Sequence, residues 1–178
     1  MFHPGTELLI DYWRGLPRRG PAPARADVDP GCFAALAPRA FTAALEAGEP
    51  TFRLAGEQLI ELHGRALAGE PVSQTWRLIH RRRLAGLVCA ALASGEPLVL
   101  AAEAWTGAHR VRLEVLFAPL TSRAGAVDRC LGLYQLTAGV WAGPIGELAI
   151  TGAFGVADPP TPTSSHLRLA AVDGLRIA

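Results

Sequence analysis

The spacing of apolar residues changes along the chain from a helical period to a strand period. Apolar side chains recur every three or four residues from 75 to 94, as on a helix that buries one face. Gly95 and Pro97 follow, and such a pair is typical of the end of a helix. Beyond them apolar and polar residues alternate, which is typical of half-buried strands. The pattern predicts one long helix followed by a sheet.

The second half of the chain predicts three consecutive antiparallel strands, over residues 98–105, 109–120 and 128–137. In the middle strand Val111 and Leu113 alternate with arginines. We therefore expect one face of this strand to be buried and the first residues of the other face to be exposed to solvent. Short segments that contain glycine or serine separate the strands and predict turns.

The first half of the chain predicts shorter elements. Residues 7–14 have near-helical spacing and precede a segment rich in proline and glycine, which we interpret as a linker. The Asp-Pro pair at 29–30 predicts a second helix, because the carboxylate caps and proline suits the first helical position. Residues 41–45 and 51–54 predict a hairpin, and residues 57–62 predict a short helix.

Composition and charge narrow the class of protein. The chain has 178 residues, of which 50% are hydrophobic, and its net charge is +1. This charge disfavours non-specific binding to nucleic acid. The three cysteines show no Cys-x-x-Cys spacing, so neither a disulfide framework nor a zinc site is indicated. The chain shows neither a leader pattern nor a long apolar run, and we expect a cytoplasmic protein that does not span a membrane.

Six short motifs occur in the order and spacing of a known family. They are Tyr12-Trp13-Arg14, Arg25-x-Asp27-x-Asp29-Pro30, Phe52-Arg53-Leu54-Ala55-Gly56, Gly64-Arg65 with Gly69, Pro119-Leu120, and Asp128-Arg129-x-Leu131-Gly132. Together they resemble a bacterial single-domain PAS family, known from alphaproteobacteria and formerly described as a domain of unknown function. The resemblance implies an α+β fold: a PAS-like, five-stranded antiparallel sheet with helices packed on one face, plus an N-terminal flanking helix.

This resemblance also suggests a division of the chain. We expect an N-terminal helix and linker over residues 1–29, a PAS-like domain over 30–139, and a C-terminal extension, partly linker, over 140–178.

The resemblance implies a regulatory role in bacterial signalling, such as motility or cell-cycle control. We expect a stand-alone module that acts in trans on a signalling protein through protein-protein contacts. Catalysis is not expected, because no nucleophile elbow, phosphate loop or zinc-protease motif occurs. Flanking helices of PAS domains often mediate dimerisation, so Leu8, Tyr12 and Trp13 are predicted to form a partner or homodimer surface.

An alternative is a haem or small-molecule sensor that binds its ligand between the long helix and the sheet. Candidate pocket residues lie on the apolar face of this helix and on the closing strands: Trp76, His80, Leu84, Trp105, Leu113 and Tyr134. His80 is the candidate axial ligand of haem, although a partly buried, hydrogen-bonded histidine is the commoner reading. Flavin is disfavoured, because the Asn-Cys-Arg motif of flavin photoreceptors of this fold is missing around Cys89.

A second alternative is anion binding by arginines of the long helix. Arg77 and Arg81 have an Arg-x-x-x-Arg spacing, and Arg82 and Arg83 follow, so this helix is a candidate site for a cyclic dinucleotide. Charge runs on helices are usually solvated faces. Arg53 and Arg65 near the short helix are interpreted as structural braces. In the N-terminal segment, Arg25 is expected to form a salt bridge with Asp27 or Asp29.

Overall fold

The computed structural model describes residues 1–140 and 143–155, which form one antiparallel sheet with helices on both faces. The α-helices of this region are α1 (Pro4–Gly15), α2 (Glu57–His63) and α3 (Leu78–Ser94). The strands are β1 (Ala40–Glu46), β2 (Glu49–Ala55), β3 (Leu98–Thr106), β4 (His109–Thr121), β5 (Val127–Ala138) and β6 (Ala149–Gly155). They lie in the order β2-β1-β5-β4-β3-β6. The predicted hairpin and the three predicted closing strands are all present.

The sheet has six strands rather than the expected five. β6 pairs antiparallel with β3, from Leu98 opposite Gly155 to Glu103 opposite Ala149. Its burial alternates weakly, which is why no strand was predicted at residues 149–155. The rest of the predicted C-terminal extension, from residue 156 onward, lies outside the described residues.

Two predicted helices differ from the observed structure. α3 begins at Leu78, because Trp76 is extended and bridges Leu148, while the Arg77 N–H donates to the Leu148 carbonyl at 2.9 Å. In place of the second predicted helix there are short 3-10 turns at Pro30–Phe33 and Ala37–Arg39. Pro38 lacks an N–H group, which prevents a continuous helix there.

Aromatic rings fill the inner core, which lies between the sheet and helices α2 and α3. The Phe41 ring is 5.2 Å from Phe52, 5.5 Å from Phe117 and 5.8 Å from Tyr134, measured between centroids, and all three contacts are edge-to-face. Phe41 lies opposite Gly132 in the β1–β5 register. A Cβ atom at Gly132 would lie 2.0 Å from the Phe41 ring, so only glycine leaves room for this ring.

A second core lies on the other face of the sheet, beneath α1. Leu9, Ile10 and Trp13 of this helix are buried against apolar residues of β3, β4 and β5. The Trp13 indole N–H donates to the Pro119 carbonyl at 2.7 Å. Burying side chains of this size stabilises the fold by about 1.5–3 kcal/mol each. Helix α1 is therefore an integral layer of the domain.

Replacing Gly132 with alanine tests the packing of the Phe41 ring. We expect Gly132→Ala to lower the free energy of unfolding by about 1–3 kcal/mol, because the ring must leave its position. Urea unfolding followed by tryptophan fluorescence measures this. Gly86→Ala is the matched control, since nothing lies within 4 Å of a Cβ atom at this helical position. We expect it to raise the stability by about 0.5–1 kcal/mol. Equal stabilities of Gly132→Ala and the parent would contradict the packing argument.

Candidate functional site

The structure brings together four of the six residues predicted to line a ligand pocket. They are Trp76, Leu84, Leu113 and Tyr134, and each is buried within the inner core. Trp105 lies elsewhere and is 57% exposed, because inward positions of β3 fall on even-numbered residues such as Ala102 and Ala104. His80 is half-buried in the first turn of α3.

Polar atoms meet at one end of the inner core, around Tyr134. The Tyr134 and Thr75 hydroxyl groups are 3.2 Å apart, and Thr75 donates to the Val72 carbonyl at 2.9 Å. Burial raises the pKa of Tyr134, although its hydrogen bond to Thr75 partly offsets the shift. The His63 ring lies edge-on to Tyr134 at 5.7 Å between centroids. Burial, assisted by the nearby Arg65 guanidinium, lowers the pKa of His63 to about 4. His63 is therefore neutral at physiological pH.

The inner core does not fit a haem or a flavin. Either group needs a flat cavity, and the rings of Phe41, Phe52, Phe117 and Tyr134 pack against one another there. His80, the candidate axial ligand, is half-buried in the first turn of α3.

The cysteines near the core also fail to support a flavin adduct. The Cys89 thiol lies 3.7 Å from the Gly48 carbonyl, at the β1–β2 turn. Cys130 is fully buried, and this burial raises the pKa of its thiol to about 12. A thiol with such a pKa is protonated at neutral pH and is a poor nucleophile.

The predicted surface on α1 is largely buried. Trp13 is fully buried in the second core, and Tyr12 is half-buried with its ring 5.1 Å from Phe33. The Tyr12 hydroxyl accepts from the Asp29 N–H at 2.7 Å. Only Leu8 of the three predicted residues is exposed, at 50%. The apolar face of α1 covers the chain's own sheet, so these residues do not form a shared exposed surface.

The arginines of the chain divide into braces and unpaired side chains. Arg81 donates to the Trp76 carbonyl at 2.9 Å, to Gln74 at 3.1 Å and to Glu147 at 2.8 Å. This use of its donors removes it from the proposed Arg-x-x-x-Arg anion site. Arg53 pairs with Glu46, and Arg65 pairs with Glu70, as expected for braces. The expected pairing of Arg25 with Asp27 or Asp29 does not occur among the described ion pairs.

An exposed apolar pair at the start of α3 was not predicted. Leu78 is 78% exposed and Ile79 is 82% exposed. They are followed by arginines at 81–83, and Arg82 and Arg83 are exposed. The sequence does contain a signal for this feature. With Leu84 and Val88 facing the core, Leu78 and Ile79 fall outside the buried stripe of the helix.

Residues 1–140 and 143–155 contain neither a metal-binding cluster nor a membrane-spanning helix. No group of three or more histidine, cysteine, aspartate or glutamate residues in this region is arranged to hold a metal ion. No helix of the region is long and apolar enough to cross a membrane.

Strand order β2-β1-β5-β4-β3, with helices inserted between β2 and β3, defines a sensor domain of the PAS type. A family model described as PAS domain matches residues 1–135. The chain belongs to the PAS domain family. This result confirms the predicted resemblance to PAS domains.

Comparison with individual proteins adds structural neighbours only. No curated protein sequence matches the chain. Solved structures that match include a light-oxygen-voltage domain studied with a flavin analogue, with 14% identity, a TM-score of 0.48, and coverage of 61% of this chain and 82% of that one. An RNA-binding light-oxygen-voltage receptor has 17% identity and a TM-score of 0.48, and the match covers 61% of this chain and 33% of that one. A light-oxygen-voltage protein of Rhodobacter sphaeroides has 15% identity and a TM-score of 0.45, and the match covers 62% of this chain and 69% of that one.

The buried imidazole of His63 makes stability depend on pH. Its pKa is about 4 in the folded chain against an ordinary 6.5, so the unfolded chain binds the extra proton between these values. Stability therefore falls as the pH drops through this window. We expect His63→Phe to remove about 2 kcal/mol of the stability loss between pH 7.5 and pH 5. Urea unfolding at both pH values measures it.

The control is His109→Phe, at an exposed position of β4. This variant should show the same pH dependence of the free energy of unfolding as the parent. If His63→Phe loses as much stability as the parent between the two pH values, His63 is not the group responsible.

Proposed function

We propose that this PAS domain is a regulatory module that acts in trans by binding an acidic partner protein. The proposed contact is the α3 surface, which consists of Arg77, Leu78, Ile79, Arg82 and Arg83. The observation that carries the proposal is the exposure of Leu78 and Ile79 side by side, at 78% and 82%. Adjacent apolar side chains this exposed are typical of contact sites. Family resemblance supports a bacterial signalling pathway such as motility or cell-cycle control.

The charge of the α3 surface specifies the chemistry of the partner. Helix α3 contains no aspartate or glutamate. Within the described part of the chain, Arg77, Arg82 and Arg83 have no carboxylate within ion-pair distance. No side chain caps the first turn of the helix, whose free N–H groups also favour negative charge. A partner segment with carboxylates around one or two apolar anchors complements this surface.

The α3 surface is held in place before any partner arrives. Arg81 ties the first turn of α3 to the segment that precedes β6, through Glu147. The Thr75 carbonyl accepts from the Leu148 N–H, and the Leu148 carbonyl accepts from Arg77, both at 2.9 Å. A prearranged surface loses little conformational entropy on binding, which favours affinity.

The alternative readings of the domain have less support. A ligand in the inner core would have to displace the Phe41 ring and its three aromatic neighbours. A membrane surface requires an apolar stripe along several helical turns, whereas the exposed apolar pair occupies a single turn of α3. A protein partner therefore fits the described surface best.

Site-specific photocrosslinking in the native host tests the proposal. A benzophenone amino acid at Ile79 should crosslink a discrete partner, whereas the same group at the exposed position Arg123 should not. We expect the double variant Arg82→Glu/Arg83→Glu to weaken partner binding by about tenfold or more, because like charges then face each other. Binding is measured with the purified partner by calorimetry.

Rescue and self-association complete this test. Changing acidic residues of the captured segment to lysine should restore binding to the charge-reversed variant. Crosslinks at Ile79 that persist unchanged in the charge-reversed variant would contradict an acidic partner. Crosslinks only to another copy of this chain would replace the proposal with a homodimer.

A further inference from the structure

The outer face of the sheet carries a groove that neither α1 nor the proposed partner surface uses. Its volume is about 320 Å³, at the small end of the range for ligand sites. One wall is the segment that follows α1, represented by Val28 and Phe33, and the other is formed by β1 and β2. We propose that this outer groove binds a small amphipathic carboxylate, with an apolar body and one anionic end.

The floor of the outer groove is an apolar row that crosses three strands. Thr42 lies opposite Leu54 of β2 and opposite Leu131 of β5. Leu131 is 2% exposed, but Leu54 at the edge of the row is 60% exposed. Helix α1 covers the neighbouring part of this face and leaves the Leu54 end open. An apolar ligand body would cover Leu54 and complete the second core.

A polar compartment adjoins the apolar one. A cavity of about 100 Å³ shares Arg25, Thr42 and Leu54 with the groove and is also lined by Arg53 and Arg129. The sheet is irregular between Thr42 and Ala43, where the bulge leaves Arg53 without a cross-strand partner. Three arginines thus line one cavity beside the groove.

The ion pairs around this compartment leave one cation unpaired. Arg53 pairs with Glu46, and Arg129 lies 3.7 Å from Asp128. Arg25 has no ion pair within residues 1–140 and 143–155. A planar guanidinium matches a carboxylate with two parallel hydrogen bonds. Arg25 is therefore the residue that would hold the anionic end of the ligand.

The outer groove lies on the opposite face of the sheet from the inner core, and a ligand there would act on a different part of the chain. Because Arg25 and Phe33 belong to the segment after α1, a ligand in the outer groove would fasten that segment to the β1–β2 edge. The inference does not depend on the proposed partner, since α3 lies on the opposite face of the sheet. Failure of one proposal leaves the other intact.

Titration of the ¹⁵N-labelled chain with sodium octanoate tests the proposal. We expect saturable amide shifts at Thr42, Ala55 and Gly56. Octan-1-ol, which has the same chain without the charge, should bind about tenfold more weakly, because it lacks the charged hydrogen bonds. Acetate, which has the charge without the chain, should cause no saturable shift.

Variants assign the charge and the groove separately. Arg25→Gln should weaken octanoate binding about tenfold and leave octanol binding unchanged. Leu54→Asp should weaken octanoate binding by placing a negative charge at the open end. Arg123→Gln, at an exposed position outside both proposed sites, is the matched control and should bind octanoate like the parent.

Three outcomes would overturn the proposal. One is equal affinity for octanoate and octanol, and another is unchanged octanoate binding by Arg25→Gln. The third is a lack of saturable shifts at the groove; if those amides instead shift on dilution of the protein, the groove is a contact between two copies of the chain.

Discussion

The edge-to-face packing of Phe41 on three other aromatic rings is the contact on which the inner half of the domain depends. It joins the β1–β2 hairpin, through Phe52, to β4 and β5, through Phe117 and Tyr134. Aromatic pairs of this geometry contribute about 0.5–1.5 kcal/mol each beyond their burial. The ring can occupy this position only because Gly132 has no side chain. The same packing occupies the space between sheet and helices, which moves the sites available for recognition to the outside of the fold.

The two faces of the sheet have different partners. On the inner face, α2 and α3 cover an aromatic and aliphatic core, and β6 extends the sheet beyond β3. On the outer face, α1 covers the part of the sheet around Trp13 but stops short of the β1–β2 edge. Two surface features that no other part of the described chain covers follow from this arrangement. The first turn of α3 projects past the inner core with Leu78 and Ile79 exposed, and the outer groove remains beside Leu54.

Local patterns predicted the elements whose periodicity is long and regular. The three closing strands, the hairpin and the body of α3 agree closely with prediction, because alternation and helical spacing depend only on near neighbours. The family was also identifiable, since its motifs mark turns and strand ends, and the match over residues 1–135 confirms it. Four of the six predicted pocket residues do lie together. They form a packed core rather than a pocket, and their spacing alone cannot distinguish the two.

The sequence by itself determined the class of fold and the order of its strands up to residue 138. Tertiary structure decided which surfaces are free. Trp13 is buried because the sheet offers it the Pro119 carbonyl and an apolar floor, which no local pattern reveals. Leu78 and Ile79 open helix α3 because Trp76 is extended and bridges Leu148, so that the helix begins only at Leu78. Arg53 and Arg129 line one cavity with Arg25 because β1 pairs with both β2 and β5. Contacts between residues distant in sequence set each of these outcomes.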